Sequence, residues 1–449
     1  MNKTIRFVCA GTLTCLMFLL AACVTTVPVI GIPDSLPDGT NMPSSSPTVP
    51  PGEYPVSADL SHRQEPYARG IILFIGDGMG EAHRTAARWA GYGEQGALAI
   101  DGLTAAGWLR TAPFGGSGVT DSAAAGTAMA TGVKTYNSYI GVDDQQLPVE
   151  SILEIAQQRG YAVGLVTTTQ LGHATPASFA AHVPNRNDMT TIVDQMLATG
   201  ANVLLGGGED DFLPVDENGC YPALGHRTDE RNLLTEAAAV GYTVICDAQD
   251  LNHNLAQSSD HILGLFGDDG MLPPHTPSLA AMTEFALEVL SGDSDGFFLM
   301  VEGGQIDWAA HDNDAARVIS HTLAFDAAVA RGIAFAGMHE HILVIVAADH
   351  ETGGMSVSWE NAGQPGQDGP FLTPDDIPFY VQWTTGSHTG ADVPVSASGL
   401  CADNFDGTHE NTYIFDVMLQ ALQGCAASPG LPGGERSFFP LICRSELTP

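Results

Sequence analysis

Lysine is nearly missing from this chain: Lys3 and Lys134 are the only two in 449 residues. Lysine and arginine together number 16 against 52 aspartates and glutamates, a net charge of -36 at pH 7. A surface this acidic repels nucleic acid and anionic lipid heads, so no nucleic-acid binding is expected. Such a balance fits a saline setting. Cysteine is also sparse, with eight in all, and none shows the spacing of a zinc motif. That excludes a zinc cluster built on cysteine. No internal repeat is found, which excludes an array of stacked units.

Residues 1–22 carry Lys3 and Arg6, then run apolar from Phe7 to Leu20. The run is too short and too close to the N-terminus for a comfortable membrane span. It ends Leu20-Ala21-Ala22-Cys23, which resembles the lipobox of bacterial lipoproteins. The resemblance implies cleavage before Cys23 and lipid on that cysteine. The protein would then be exported, periplasmic or at the cell surface, and anchored to a membrane. Residues 23–66 read as the lipidated cysteine and a Pro/Ser-rich tether, because a run such as Pro43–Gly52 cannot build a core. Residues 67–449 are expected to form one large domain. Export permits disulfides. Five cysteines follow Cys23, and nearness in sequence favours Cys220–Cys246 and Cys425–Cys443.

Within that domain strands and helices alternate. Short apolar runs at Ile71–Ile75, Ala162–Thr167, Val203–Leu205, His261–Phe266, Phe297–Val301 and Ile342–Ala347 read as strands. Helices are expected at Glu81–Ala90, Ser151–Gln158, Thr190–Ala198, Ser278–Leu290 and Ala315–Phe335. Alternation of this kind predicts an α/β fold, a large and mostly parallel sheet with helices on both faces. In such sheets ligands gather at the C-terminal ends of strands.

The polar residues of interest follow strands. Asp77 ends the first, Glu302 the run from Phe297, and Asp349-His350 the run from Ile342. Asp307 and His311 fall four apart, on one face of any helix starting there. Mixtures of imidazole and carboxylate suit Zn²⁺, and carboxylate with hydroxyl suits Mg²⁺. Carboxylates crowded together repel one another unless a cation intervenes. Asp121-Ser122 enters a small-residue run, Ala123 to Ala128, that reads as a helix. Ser122 would lie at its N-terminus, where free N–H groups suit an anion. A serine there can be a nucleophile if its pKa is lowered, and the plainer reading makes Asp121 or Ser122 only a helix cap.

Six segments in order resemble the alkaline phosphatase family: Phe74–Gly80, Thr120–Ala128, His173–Ala177, Val301–Asp307, Ala348–Gly354 and His388–Gly390. The resemblance implies a metal-dependent phosphomonoester hydrolase that works through a phosphoserine at two zinc ions and one magnesium ion. Ser122 matches the nucleophile. Asp307, His311 and His388 match the ligands of one zinc. Asp77, Asp349 and His350 match those of the other, with Ser122 beside it. Asp77, Thr175 and Glu302 match the magnesium site. Arg186 matches the arginine that grips two phosphate oxygens, with Asp121 beside it. Small-molecule phosphomonoesters as substrates and a homodimer are implied too, with a small crown insertion at about 356–387.

Two positions depart from the common bacterial pattern. His173 stands where many bacterial members have aspartate, either as a direct magnesium ligand or, preferably, one acting through water. Trp308 stands where others have lysine or histidine beside the substrate, and brings no charge. Three other readings compete with this one. A phosphodiesterase of the same superfamily typically uses threonine and lacks the third metal site, against Ser122, Thr175 and Glu302. A sulfatase needs a Cys or Ser followed by x-Pro-x-Arg, and Ser122–Gly126 lacks it. A lipoprotein that binds metal or phosphate without turnover would not need the intact nucleophile.

Overall fold

The computed structural model describes residues 67–116, 118–271 and 273–425. The expected leader, Cys23, the tether up to residue 66 and Cys443 lie outside the described residues. The strands are β1 (Gly70–Gly76), β2 (Ala105–Arg110), β3 (Ala162–Gln170), β4 (Val203–Gly207), β5 (Thr243–Ile245), β6 (Ile262–Leu265), β7 (Phe297–Gly303), β8 (Ile342–Ala347), β9 (Glu351–Thr352), β10 (Ser356–Ser358), β11 (Gln367–Leu372), β12 (Pro378–Gln382), β13 (His388–Thr389), β14 (Val393–Gly399) and β15 (Gly407–Glu410). Ten form one sheet in the order β15-β2-β14-β8-β1-β7-β3-β4-β6-β5. Only β14 runs against its neighbours, β8 and β2.

The centre of the sheet explains the apolar runs. Every residue of β1, β7 and β8 is buried, and successive side chains point to opposite faces, so both faces are covered. Helices Leu279–Leu290 and Ala315–Ala336 pack together against it, and helices Ile152–Gln158 and Ala174–Ala180 form another group. A separate antiparallel sheet, β10-β12-β11, lies within residues 356–387. There Trp359 stacks on Trp89 of helix Glu81–Tyr92 with ring centroids 3.6 Å apart.

One expectation needs correcting. Cys220 pairs with Cys246, but Cys425 pairs with Cys401 rather than Cys443. Helix Tyr413–Gln423 runs back past the end of β14, which brings Cys425 within a Cα distance of 5.6 Å of Cys401. Nearness in space, set by that return, outweighs nearness in sequence.

Candidate metal and phosphate site

The C-terminal ends of β1, β7 and β8 lie side by side, since β1 pairs with both others in parallel. They deliver Asp77, Glu302, Asp349 and His350 to one edge, all four fully buried. The turn after β1 demands glycine. Gly78 has φ +68°, and a Cβ there would lie 2.6 Å from the Thr352 hydroxyl and 2.9 Å from Asp307 Oδ1. Its N–H donates to Asp349 Oδ1 at 3.0 Å.

Ser122 opens helix Ser122–Thr131, and Asp121 caps it by accepting from Ala124 N–H at 2.9 Å. The cap does a second job. The other carboxylate oxygen of Asp121 accepts from Ser138 N–H at 2.9 Å and from Arg186 Nη1 at 3.2 Å. Asp121 therefore aims the arginine. Ser122 Oγ lies 3.2 Å from His350 Nε2, which is itself 3.1 Å from Asp349 Oδ2 and 3.6 Å from Asp77 Oδ1.

Asp307 and His311 share helix Gln305–His311, and His388 comes from β13, which pairs with β9 just after His350. The His311 and His388 Nε2 atoms are 3.0 Å apart, and each lies within 3.6 Å of the Asp307 carboxylate. Their Nδ1 atoms face backbone carbonyls, Gly386 O at 2.8 Å and Thr120 O at 2.9 Å. A carbonyl only accepts, so each Nδ1 carries the proton and each Nε2 presents a lone pair, as a metal ligand must. His350 follows the same logic. Thr352 Oγ1 donates to Asp307 Oδ1 at 2.5 Å and so accepts from His350 Nδ1 at 3.2 Å.

Three groups can thus each hold a cation, their donor atoms within 4.8 Å of one another: Asp307, His311 and His388; Asp77, Asp349 and His350; Asp77, His173 and Glu302. The bare protein leaves these donors unpaired. Both oxygens of Asp77, Glu302 Oε1, Asp349 Oδ2, Thr175 Oγ1 and His173 Nδ1 are buried without a hydrogen-bond partner. Such orphans are costly unless something positive fills the space between them. Without metal, burial and the charges of Asp349, Asp307 and Glu302 push the Asp77 carboxyl well above its ordinary value. Burial raises Glu302 to about 7. Burial and then Arg186 lower His173 to about 3. The donor set therefore fits divalent cations.

Every metal- and phosphate-site residue named from the sequence converges here, while Cys23 lies outside the described residues. His173 Nε2 faces Arg186 Nη2 at 3.1 Å, and the Trp308 ring meets the His173 ring edge-on at 6.0 Å. The sequence pointed to Thr175 but not to three other threonines. Thr167 and Thr169 donate to Glu302 Oε2 at 2.5 and 3.3 Å, and Thr352 bridges Asp307 and His350. The available signal was the run Thr167-Thr168-Thr169 ending a buried strand, since Thr167 is the register partner of Glu302.

The profile of the family described as alkaline phosphatase matches residues 68–375 and 378–424. The chain is 34% identical over 436 residues to alkaline phosphatase 3 of Bacillus subtilis, covering 79% of this chain and 89% of that relative. It is 35% identical to streptomycin-6-phosphate phosphatase of Streptomyces griseus, covering 82% and 94%. Among solved structures, the alkaline phosphatase of the Antarctic bacterium TAB5 superposes with a TM-score of 0.69 at 31% identity, covering 80% of this chain and 99% of the other. A mutant of that enzyme, with Mg bound in its M3 site, gives the same TM-score of 0.69.

Proposed function

Because this chain belongs to the alkaline phosphatase family, and is with it a metal-dependent phosphomonoester hydrolase, we propose that Ser122 is its nucleophile and Arg186 its phosphate clamp. The observation that carries this is Ser122 Oγ at a helix N-terminus, 3.2 Å from His350 Nε2 and beside orphaned buried carboxylates. Asp307, His311 and His388 would hold one zinc, and Asp77, Asp349 and His350 the other. Asp77, Thr175 and Glu302 would hold magnesium, with His173 beside it. When bound, these ions supply Lewis acidity for both the attacking and the leaving oxygen. Arg186, aimed by Asp121, binds two phosphate oxygens as a planar fork. The Ser122 oxygen bonds to phosphorus as the ester bond breaks and the alcohol departs. Water then cleaves the phosphoserine, which frees phosphate and restores Ser122.

The test is Ser122→Ala, assayed on a phosphomonoester with metal content measured on the same sample. Turnover should fall by orders of magnitude while metal stays near the native level, with a residual rate from the remaining groups. Native activity in the variant would refute the assignment. The diesterase reading makes the opposite claim on the wild type, faster hydrolysis of a diester, and the Asp77–His173–Glu302 group speaks against it.

Export and anchoring rest on residues 1–22 and the lipobox at Cys23, with residues 24–66 as the tether and the strands at 356–387 as a crown. The homodimer rests on the family resemblance. Palmitate label incorporated by the wild type and lost in Cys23→Ala would mark the anchor.

A further inference from the structure

Three large apolar side chains stand exposed beside the nucleophile segment: Phe114 at 37%, Val119 at 38% and Tyr136 at 46%. Scattered singly, such residues need no account, but these are gathered. The Phe114 and Tyr136 rings meet edge-on with centroids 5.1 Å apart, and Tyr136 meets Tyr139 likewise at 5.8 Å. The row is built into the rim of the phosphate site. Phe114 N–H donates to Thr135 O at 2.8 Å. Asn137, next to Tyr136, donates to Val119 O at 2.9 Å and accepts from Asp121 N–H at 3.1 Å. Ser138 N–H reaches the Asp121 carboxylate at 2.9 Å, and Ser138 O accepts from Arg186 N–H at 2.8 Å. The segments that carry the rings are therefore the ones that hold Asp121 and Arg186.

The segments that carry the rings also hold partly exposed members of the site. Asp77, Glu302, Asp349 and His350 are fully buried beneath Ser122, whereas the Arg186 and Asp121 side chains are 20% and 17% exposed. The organic part of a bound ester must project to the exposed side. Gly115, Gly116 and Gly118 have φ of 85°, 65° and 96°, and among the described residues nothing lies within 4 Å of where their side chains would sit. Among the described residues the approach beside these glycines is open.

We propose that Phe114 and Tyr136 form a shelf for the organic moiety of the substrate, and that aryl phosphomonoesters are the class it favours. The proposal rests on the reading of Ser122 and Arg186 as the phosphate cradle. A planar aryl group can meet both rings edge-on or offset, which a short alkyl chain cannot.

The test compares kcat/KM for phenyl phosphate and ethyl phosphate in the metal-loaded full chain. Aryl esters react faster for chemical reasons alone, so the readout is the phenyl-to-ethyl ratio of each variant relative to wild type. In Phe114→Ala/Tyr136→Ala the ratio should fall roughly three- to tenfold, chiefly through KM for phenyl phosphate. Tyr136→Phe, which keeps the ring, should hold it within about twofold. Inhibition by inorganic phosphate, read on the same preparations, reports the cradle and should stay near the wild-type value. An unchanged ratio overturns the proposal. Equal loss on both esters with weakened phosphate inhibition also overturns it, since the rings would then only support Asp121 and Arg186. An unchanged ratio with loss of a dimer on gel filtration would overturn it too and give the rings to contact between copies. Full turnover in Ser122→Ala would instead strike the cradle reading, whatever the ratio.

Discussion

Trp308 leans on Gly270, where any Cβ would come within 2.6 Å of the indole, and meets His173 edge-on. It props the imidazole that faces Arg186 but adds no charge to the phosphate site. Trp308→Lys should tighten phosphate inhibition by at most about tenfold and slow turnover where product release limits it. Measuring inhibition of both proteins at one pH and salt checks this; an unchanged constant leaves the indole a packing residue. Glu302 makes a second claim. In metal-free protein its carboxyl holds a proton up to about 7, whereas the unfolded chain releases it near 4.5. The folded state therefore binds more protons across that window, and its stability falls as pH rises through it. Chelated protein should lose Tm between about pH 5 and about pH 8, and added metal should remove the slope. A chelated Tm without that slope would mean that burial does not hold the Glu302 proton.

At the scale of elements, His182 ties helix Ile152–Gln158 to the segment leading to Arg186. Its Nε2 meets Glu154 Oε1 at 3.0 Å and its Nδ1 meets Gly141 O at 2.7 Å. Both partners only accept, so both bonds form only when the imidazole is charged. Burial works against that charge, but the bond and charge of Glu154 and the Gly141 carbonyl prevail and raise its pKa above 6.5. The stabilisation is complete below the unfolded value of 6.5 and fades as pH climbs past the raised one. His182→Gln should therefore lower unfolding free energy more near pH 6 than near pH 9, by roughly 1 kcal/mol of difference. Equal losses at both would point to packing alone. The central strands were legible because parallel strands buried on both faces read as unbroken apolar runs. Helix Gln305–His311 was legible because two ligands fell four apart. Strands β2 and β14 were not: β2 alternates buried and exposed residues around Gly107, and β14 carries Pro394, Ser396 and Ser398. Thr167 was not legible either, because register rather than spacing brings it beside Glu302.

For the whole molecule, the charge of -36 and a dianionic substrate repel at long range. Raising salt from 0.01 M to 0.1 M shortens the screening length from ~30 Å to ~10 Å and should raise kcat/KM. A steady fall in kcat/KM with salt would mean that Arg186 and bound cations outweigh the global field. The fold class was visible in the alternation of elements. The second disulfide was not, because it depends on where helix Tyr413–Gln423 ends.

The single antiparallel strand sets an order of assembly. Strand β14 enters the sheet at the edge where the parallel strands leave it, so His388, just upstream of β14, reaches that edge before its strand begins. Asp77 is made early and His388 late, and β14 must seat between β8 and β2 to anchor it. Strand β2 waits through almost three hundred residues of chain for that neighbour. Closing so distant a contact is intrinsically slow. Nascent chains halted before β14 would carry every metal donor yet leave His388 unanchored, so cation capture becomes a late event in the life of each molecule.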